Sequence, residues 1–287
     1  MKNCFMKIFI KKYFFTNSLL ENILIFLAQK ISSKFELFYP SNLHYKMNTI
    51  RCVEREGVKY VLDISDYQAY IIYFKLKSDN SKILLNFTGK IKDGNVIDVG
   101  ANIGQTSLWL AQSLPKKTNI FAFEPFINTF QKLEINIKLN HYKNIKIENL
   151  AIGSSLSTVR MKNTIETNSG GKHIISDITD GSNLISFQQT TLDHYFENNT
   201  TKIQLIKVDV EGYELEVLKG ALKIIQKDHP MLFIEINDNH LKRQNSSAQK
   251  LIEFLNQHQY TIQNAETLET IDKDYNFTNC HFDIICK

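Results

Sequence analysis

The chain is 287 residues long, enough to bury a full core without disulfide or metal staples, and its length suits one large domain with an appendage or at most two domains. Lysine and arginine number 34 against 30 aspartates and glutamates, which does not resemble the basic balance of a dedicated nucleic-acid binder. Cys4, Cys52, Cys280 and Cys286 form no CxxC pair with a partner set, so they read as reduced thiols of a cytoplasmic protein, not as a disulfide or zinc framework.

Residues 1–45 open with "MKNCFMKIFIKKYFF", basic and aromatic, and continue with the apolar "NILIFLAQ". Glu21 and Asn22 interrupt the pattern and leave an apolar run of only Ile23 to Ala28. That run is far shorter than the roughly 20 residues of a membrane span, and no A-x-A-like cleavage site follows. The reading is a helical extension packed on the main domain or on a second copy in a homodimer. A basic amphipathic segment also suits peripheral contact with an anionic membrane surface. Residues 46–90 form a leading subdomain, in which "GVKYVLDIS" is a strand paired with its neighbour and "DYQAYIIYFKL" a helix carrying Tyr67, Tyr70 and Tyr73.

From residue 91 onward buried-strand runs alternate with helical patterns, which predicts a parallel sheet with crossover helices. The strands are "NVIDVG", "NIFAFEP", "IKIENLAI", "IQLIKVDV" and "MLFIEIN", with helices starting near Ile103, Phe126, Tyr213 and Leu241. Leu218, Leu222 and Ile225 fall at i, i+4 and i+7, the apolar stripe of a single helix. Residues 153–190 alternate polar with β-branched residues and carry Gly170-Gly171, the pattern of strands and loops inserted into the core. After Tyr260 two strand-like runs follow with no helix between them, which predicts a closing antiparallel hairpin.

Two stretches carry chemistry. In "VIDVGANIGQTSLWLA", residues 96–111, a buried strand meets a glycine turn that opens a helix, an arrangement that lets a ligand approach the backbone closely. Glu124 ends the next strand, where doubly wound sheets place an acid on ribose hydroxyls. A dinucleotide site wants G-x-G-x-x-G. Here Gly100 is followed by Asn102 and Gln105 at the second and third places, with Gly104 one position early. Asp98 adds a carboxylate that would repel a pyrophosphate and suit an amino group, a combination that fits S-adenosylmethionine better than a nicotinamide dinucleotide. In "IQLIKVDVEGYELEVLKGA", residues 203–221, strand alternation puts Lys207, Asp209 and Glu211 on one face at the ligand-binding edge. The following helix then carries Glu214, Glu216 and Lys219 outward. The bland alternative is that Asp209 or Glu211 merely caps that helix and pairs with Lys207.

Those two stretches, with "FAFEP", "TLDHYF", "LFIEI", "GVKYVLDISDY" and "NSGGKHI", resemble the FkbM family of S-adenosylmethionine-dependent methyltransferases over roughly residues 50–287. The resemblance implies an α/β, class I methyltransferase Rossmann-like fold. Its sheet is seven-stranded and mostly parallel, with an antiparallel last strand and helices on both faces. It further implies that Asp98, Gly100, Ala101, Asn102 and Gly104 line the methionine side of the donor, that Glu124 holds the ribose, and that Asn149 and Ala151 approach the adenine. Asp209 would sit beside the sulfonium and Glu211 at the acceptor mouth. The acceptor expected is a hydroxyl of a sugar, glycan or other small metabolite.

Methyl transfer to an alcohol needs an aligned oxygen and a group to take its proton. Asp209 and Glu211 are the candidates, with His173 in the insert a lesser one. A divalent metal bridging Asp209, Glu211 and an acceptor diol is compatible with hard oxygen donors, though nothing in the sequence requires it. Two other enzyme readings compete. A nicotinamide-dependent oxidoreductase shares the sheet and Glu124 but lacks the glycines. A nucleic-acid methyltransferase would be expected to show a basic aromatic surface or an N/D-P-P-Y-type motif, and no nucleic-acid partner is expected here.

Overall fold

The computed structural model describes residues 17–76, 80–162 and 184–287. Among these the chain separates into two compact units, with the division after residue 80. The extension and the leading subdomain thus share the first unit. The 3-10 stretch Asn80–Lys90 belongs with the second, where Leu84 and the following Ile91 are buried.

In the first unit α1 (Ser18–Lys30) starts at Asn17, whose side chain accepts the Leu19 N–H and satisfies an end group the helix leaves open. Its buried face is Glu21, Leu24, Ile25 and Ala28. Glu21 is completely enclosed, and its two oxygens accept from Arg51 Nε at 2.8 Å and Nη2 at 3.0 Å, while the Tyr73 hydroxyl donates at 2.9 Å. Strands β1 (Ile50–Arg55) and β2 (Val58–Asp63) pair antiparallel through Glu56 and Gly57, at φ 54° and 82°. Two left-handed residues in a two-residue turn match the twist of the flanking strands. Helix α2 (Tyr67–Phe74) is capped by Asp66, which accepts the N–H groups of Gln68 and Ala69. Tyr70 and Tyr73 point inward and Tyr67 stays exposed.

The second unit runs β3 (Gly94–Val99), α3 (Gln105–Ser113), β4 (Thr118–Phe123), α4 (Ile127–Asn140), β5 (Ile145–Glu148), β6 (Ala151–Ile152), β7 (Ser157–Lys162) and β8 (Leu184–Thr190). It continues with α5 (Leu192–Tyr195), β9 (Ile203–Val208), α6 (Glu214–Lys219), α7 (Leu222–Asp228), β10 (Met231–Asn237), α8 (Asp238–Arg243), α9 (Ala248–Gln257), β11 (Ile262–Asn264) and β12 (His281–Cys286). Seven strands form one sheet in the order β11-β12-β10-β9-β3-β4-β5, and only β12 runs against its neighbours. The last strand therefore wedges between β10 and β11. Alternation divides the core between the two sheet faces: Ile97, Ile206, Ile234 and Ile284 lie in one cluster, Val96, Leu205, Phe233 and Ile285 in the other. Strands covered on both faces read as continuous apolar runs, which is why β3, β9 and β10 are visible in the sequence.

Three details depart from the sequence reading. "IKIENLAI" is two strands, because β6 leaves the main sheet to pair with β8, which also pairs with β7. The single helix expected over Leu218 to Ile225 is two, broken at Gly220, whose Cα faces the Gly153 carbonyl so closely that a Cβ would lie 2.0 Å from its oxygen. The helix expected from Leu241 starts at Asp238 and breaks after Arg243. Its successor α9 is capped by Ser247 and joined to α8 by Asp238, which accepts the Ala248 N–H at 3.0 Å. In the insert, Gly170, Gly171 and His173 lie outside the described residues. Among the described residues Cys52, Cys280 and Cys286 form no disulfide, and no helix is long and apolar enough to cross a membrane.

Removing one partner of a buried ion pair strands the others, at a cost of about 3 kcal/mol. Glu21→Ala is therefore expected to lower the urea midpoint of the first unit by that order of stability, with Glu21→Gln intermediate. Equal midpoints for all three proteins would show that the Glu21 cluster carries no stability.

Candidate active site

The order of strands reverses between β3 and β9, and in open α/β sheets ligands bind outside the carboxyl ends of strands at such a switch point. The turn leaving β3 is built for close approach. Gly100, Asn102 and Gly104 all have positive φ, at 79°, 49° and 92°. The N–H groups of Gly100 and Ala101 both donate to the Phe123 carbonyl at 3.0 Å, and the Asn102 N–H donates to Glu124 Oε2 at 3.1 Å. Glu124 Oε1 accepts the Phe126 N–H at 3.0 Å, so this buried carboxylate ties the β3 turn to the β4 turn. Asn149, beyond β5, donates its side-chain amide to the carbonyls of Glu124 and Pro125. Ala151 is buried in β6, opposite Gln189.

Asp98 is fully enclosed, and the amino group it meets belongs to the protein. Its Oδ2 accepts the Ser107 hydroxyl at 2.6 Å and its Oδ1 lies 3.3 Å from Lys207 Nζ. Lys207 stands opposite Asp98 in the β3–β9 register, donates to the Gly100 carbonyl at 2.9 Å, and reaches Asp209 Oδ2 at 3.3 Å. Burial pulls the lysine's pKa down, but Asp209 and Asp98 outweigh it, and the ammonium is held above the ordinary lysine range. Asp98 thus meets Ser107 and Lys207 within the protein.

The structure brings Asp209 and Lys207 together as strand alternation predicts, but Glu211 arrives differently. The strand stops at Val208, and Glu211 sits in a turn at φ 56°, a conformation uncommon for a side-chain-bearing residue and concentrated at functional sites. Its Oε2 lies 2.6 Å from His240 Nδ1 on α8. Neither Asp209 nor Glu211 caps α6. Glu214 does the equivalent work, its Oε1 accepting the N–H groups of Val210 and Gly212 at 3.2 and 2.9 Å. Glu214 is therefore buried, not outward, because the turn's amides need an acceptor; Glu216 and Lys219 remain on the outer face as an ion pair.

Around Glu211 gather side chains that the sequence reading did not single out. Glu235 on β10 meets His281 Nε2 at 2.9 Å, and Asp283 stands opposite Glu235 in the β10–β12 register. Burial, then Asp209 and Glu235, push Glu211 up to about 9. Burial, then Glu235 and Asp209, push Asp283 up to about 7, and burial pushes Glu214 up to about 8. Glu235 is raised for the same reason, and His281 is raised by its hydrogen bond to Glu235. Burial lowers His240. Among the described residues Glu211, Glu235 and His240 have donor atoms within 4.8 Å of one another, a different set from the Asp209–Glu211 pair considered for a metal. Glu235 had a signal, a carboxylate in an otherwise apolar strand. His240, His281 and Asp283 had none, since their placement depends on a helix break and on the register of an antiparallel strand.

The strand order, the wedged last strand and the glycine turn at the switch point define a class I methyltransferase. The family model for the methyltransferase FkbM domain matches residues 98–262, more than half of the chain, and the chain belongs to that family. A methyltransferase of Sordaria araneosa, sdnD, is 27% identical over 203 residues, covering 61% of this chain and 76% of that protein. The hexuronic acid methyltransferase AglP of Haloferax volcanii is 33% identical over 153 residues, covering 53% of this chain and 59% of its own length. A solved FkbM methyltransferase from Methylobacillus flagellatus aligns with a TM-score of 0.47 at 18% identity, over 95% of this chain and 60% of that one. This protein is a methyltransferase.

A Cβ at Gly100 would lie 1.8 Å from the Asp209 carbonyl oxygen, and the φ there is left-handed. Gly100→Ala is expected to cost roughly 2 kcal/mol or more in chemical denaturation. Gly89→Ala, where a Cβ meets nothing within 4 Å, is the matched control and is expected to change little.

Proposed function

We propose that the protein transfers the methyl group of S-adenosylmethionine to a hydroxyl of a sugar, glycan or other small metabolite. The observation that carries this reading is the junction of the glycine turn with Asp209, Glu211 and His240 at the carboxyl edge of the sheet. Gly100, Ala101, Asn102 and Gly104 would hold the methionine end, with Asp98 acting from behind through Lys207. Glu124 suits the ribose, because its carboxylate, which accepts the backbone amides of Asn102 and Phe126, stands at the junction of the β3 and β4 turns. Asn149 and Ala151 border the adenine side. When bound, the donor supplies an electrophilic methyl on a positively charged sulfur, and the exposed Asp209 carboxylate would face that charge.

The remaining task is to align the acceptor oxygen and take its proton. Glu211 suits the second part, because enclosure makes its carboxylate a far stronger base than an ordinary one once it is ionised. His240, 2.6 Å away, fixes the carboxylate's orientation. Turnover is expected to rise with pH toward a plateau above about 9, since the base works only after losing the proton that burial makes it keep. Glu211→Gln should lose most turnover and this alkaline limb while still binding S-adenosylhomocysteine by calorimetry. If Glu211→Gln and Asp209→Asn both turn over normally, the proton leaves by another route. Loss of activity on chelation that Mg²⁺ restores would instead give Glu211, Glu235 and His240 to a cation.

The relative named for hexuronic acid supports a sugar as acceptor. Asp209, Glu211, Glu235 and Asp283 surround this edge, so once Glu211 has lost its proton to act as the base, an anionic acceptor would meet like charge there. In a labelled-methyl screen, neutral hexoses and their glycans are expected to exceed the matching hexuronic acids in kcat/KM. The reverse preference would move the acceptor away from this edge.

A further inference from the structure

We propose that the first unit docks the protein onto an anionic phospholipid surface, with the outward face of α1 seated among the lipid headgroups. Two independent properties coincide in the same short segment. The first is charge. Residues 1–50 hold seven lysines and two glutamates, a net charge of +5, whereas the remaining 237 residues hold 27 basic and 28 acidic side chains. Glu21 is enclosed and paired with Arg51, so Glu36 is left as the segment's other acid against seven lysines. Lys30, Lys34 and Lys46 are exposed, and residues 1–16 contribute Lys2, Lys7, Lys11 and Lys12 with no acid.

The second property is apolar exposure. Leu19, Ile23 and Phe26 recur at helical spacing on the side of α1 opposite Leu24, Ile25 and Ala28, and they are 68%, 45% and 57% exposed. A helix apolar on both sides would ordinarily be buried on both. Nine of the fourteen large hydrophobic side chains that are exposed among the described residues lie between Leu19 and Ile50; Leu37, Leu43 and Met47 are each about 70% exposed. At 13 residues α1 is too short to span a bilayer, so such a face lies in the plane of the interface. Lysines of the same segment are attracted to an anionic leaflet, and apolar burial supplies the second signal that stable attachment needs. The charge selects this occupant: a second copy would bring another segment of seven lysines to meet this one, whereas an anionic headgroup layer neutralises them.

The test is co-sedimentation of the full chain with sucrose-loaded vesicles of phosphatidylcholine containing about one-third phosphatidylglycerol, against pure phosphatidylcholine. Binding to the anionic vesicles is expected to be at least about tenfold tighter and to fall with added salt. Ile23→Glu with Phe26→Glu should lower it by a similar factor, as should replacing Lys2, Lys7, Lys11 and Lys12 with glutamine. Both variants change residues of the first unit only, and unchanged circular dichroism and S-adenosylhomocysteine binding would show that each still folds. Equal binding to both vesicle types, or none to either, overturns the proposal. So does a lipid-free dimer in sedimentation velocity that Ile23→Glu with Phe26→Glu dissolves, which would assign the face to a second copy.

Discussion

A lysine enclosed between two aspartates holds this site together. Lys207 touches Asp98, Asp209 and the Gly100 carbonyl at once, so it joins the end of β3, the turn after it and the end of β9 at the place where strand order reverses. A buried ammonium is tolerable only with such compensation, and the same compensation fixes the backbone of the turn. Gly100 is required by this closure, since any side chain there would run into the Asp209 carbonyl. The chain thus positions the glycine turn and the acidic loop relative to each other by one charge, not by two separate local motifs.

Beyond that junction the crevice edge is crowded with acids whose charges oppose one another. Glu211, Glu235 and Asp283 are all raised by burial and by their neighbours, with His240 and His281 interleaved. Such crowding makes each carboxylate a stronger base than an isolated one once it is ionised. The left-handed turn at Glu211 and the buried Glu214 that accepts its neighbouring amides show that the loop is held in this shape against local preference.

Much of the fold was legible because its signals are local. Apolar runs such as those of β3, β9 and β10 announce buried parallel strands. Where the reading missed, a distant contact intervened. A helix whose apolar stripe looks continuous breaks at Gly220, where the Gly153 carbonyl occupies the space a side chain would need. "IKIENLAI" divides because β6 finds a partner in β8, far along the chain. Glu214 has the spacing of an outward residue, yet loop amides draw it inside.

The sequence alone determined the alternation of buried strands with helices, the glycine turn and the acids at the ends of β3, β4 and β9, since each depends on residues adjacent in the chain. It also determined the family, through motifs that are short and ordered. Only the tertiary structure decided that Asp98 is enclosed against Lys207 and Ser107, that Glu211 meets His240, and that Glu235, His281 and Asp283 stand beside them. Those pairings come from strand register and from a helix break, and both are settled by packing between segments that the linear pattern leaves independent.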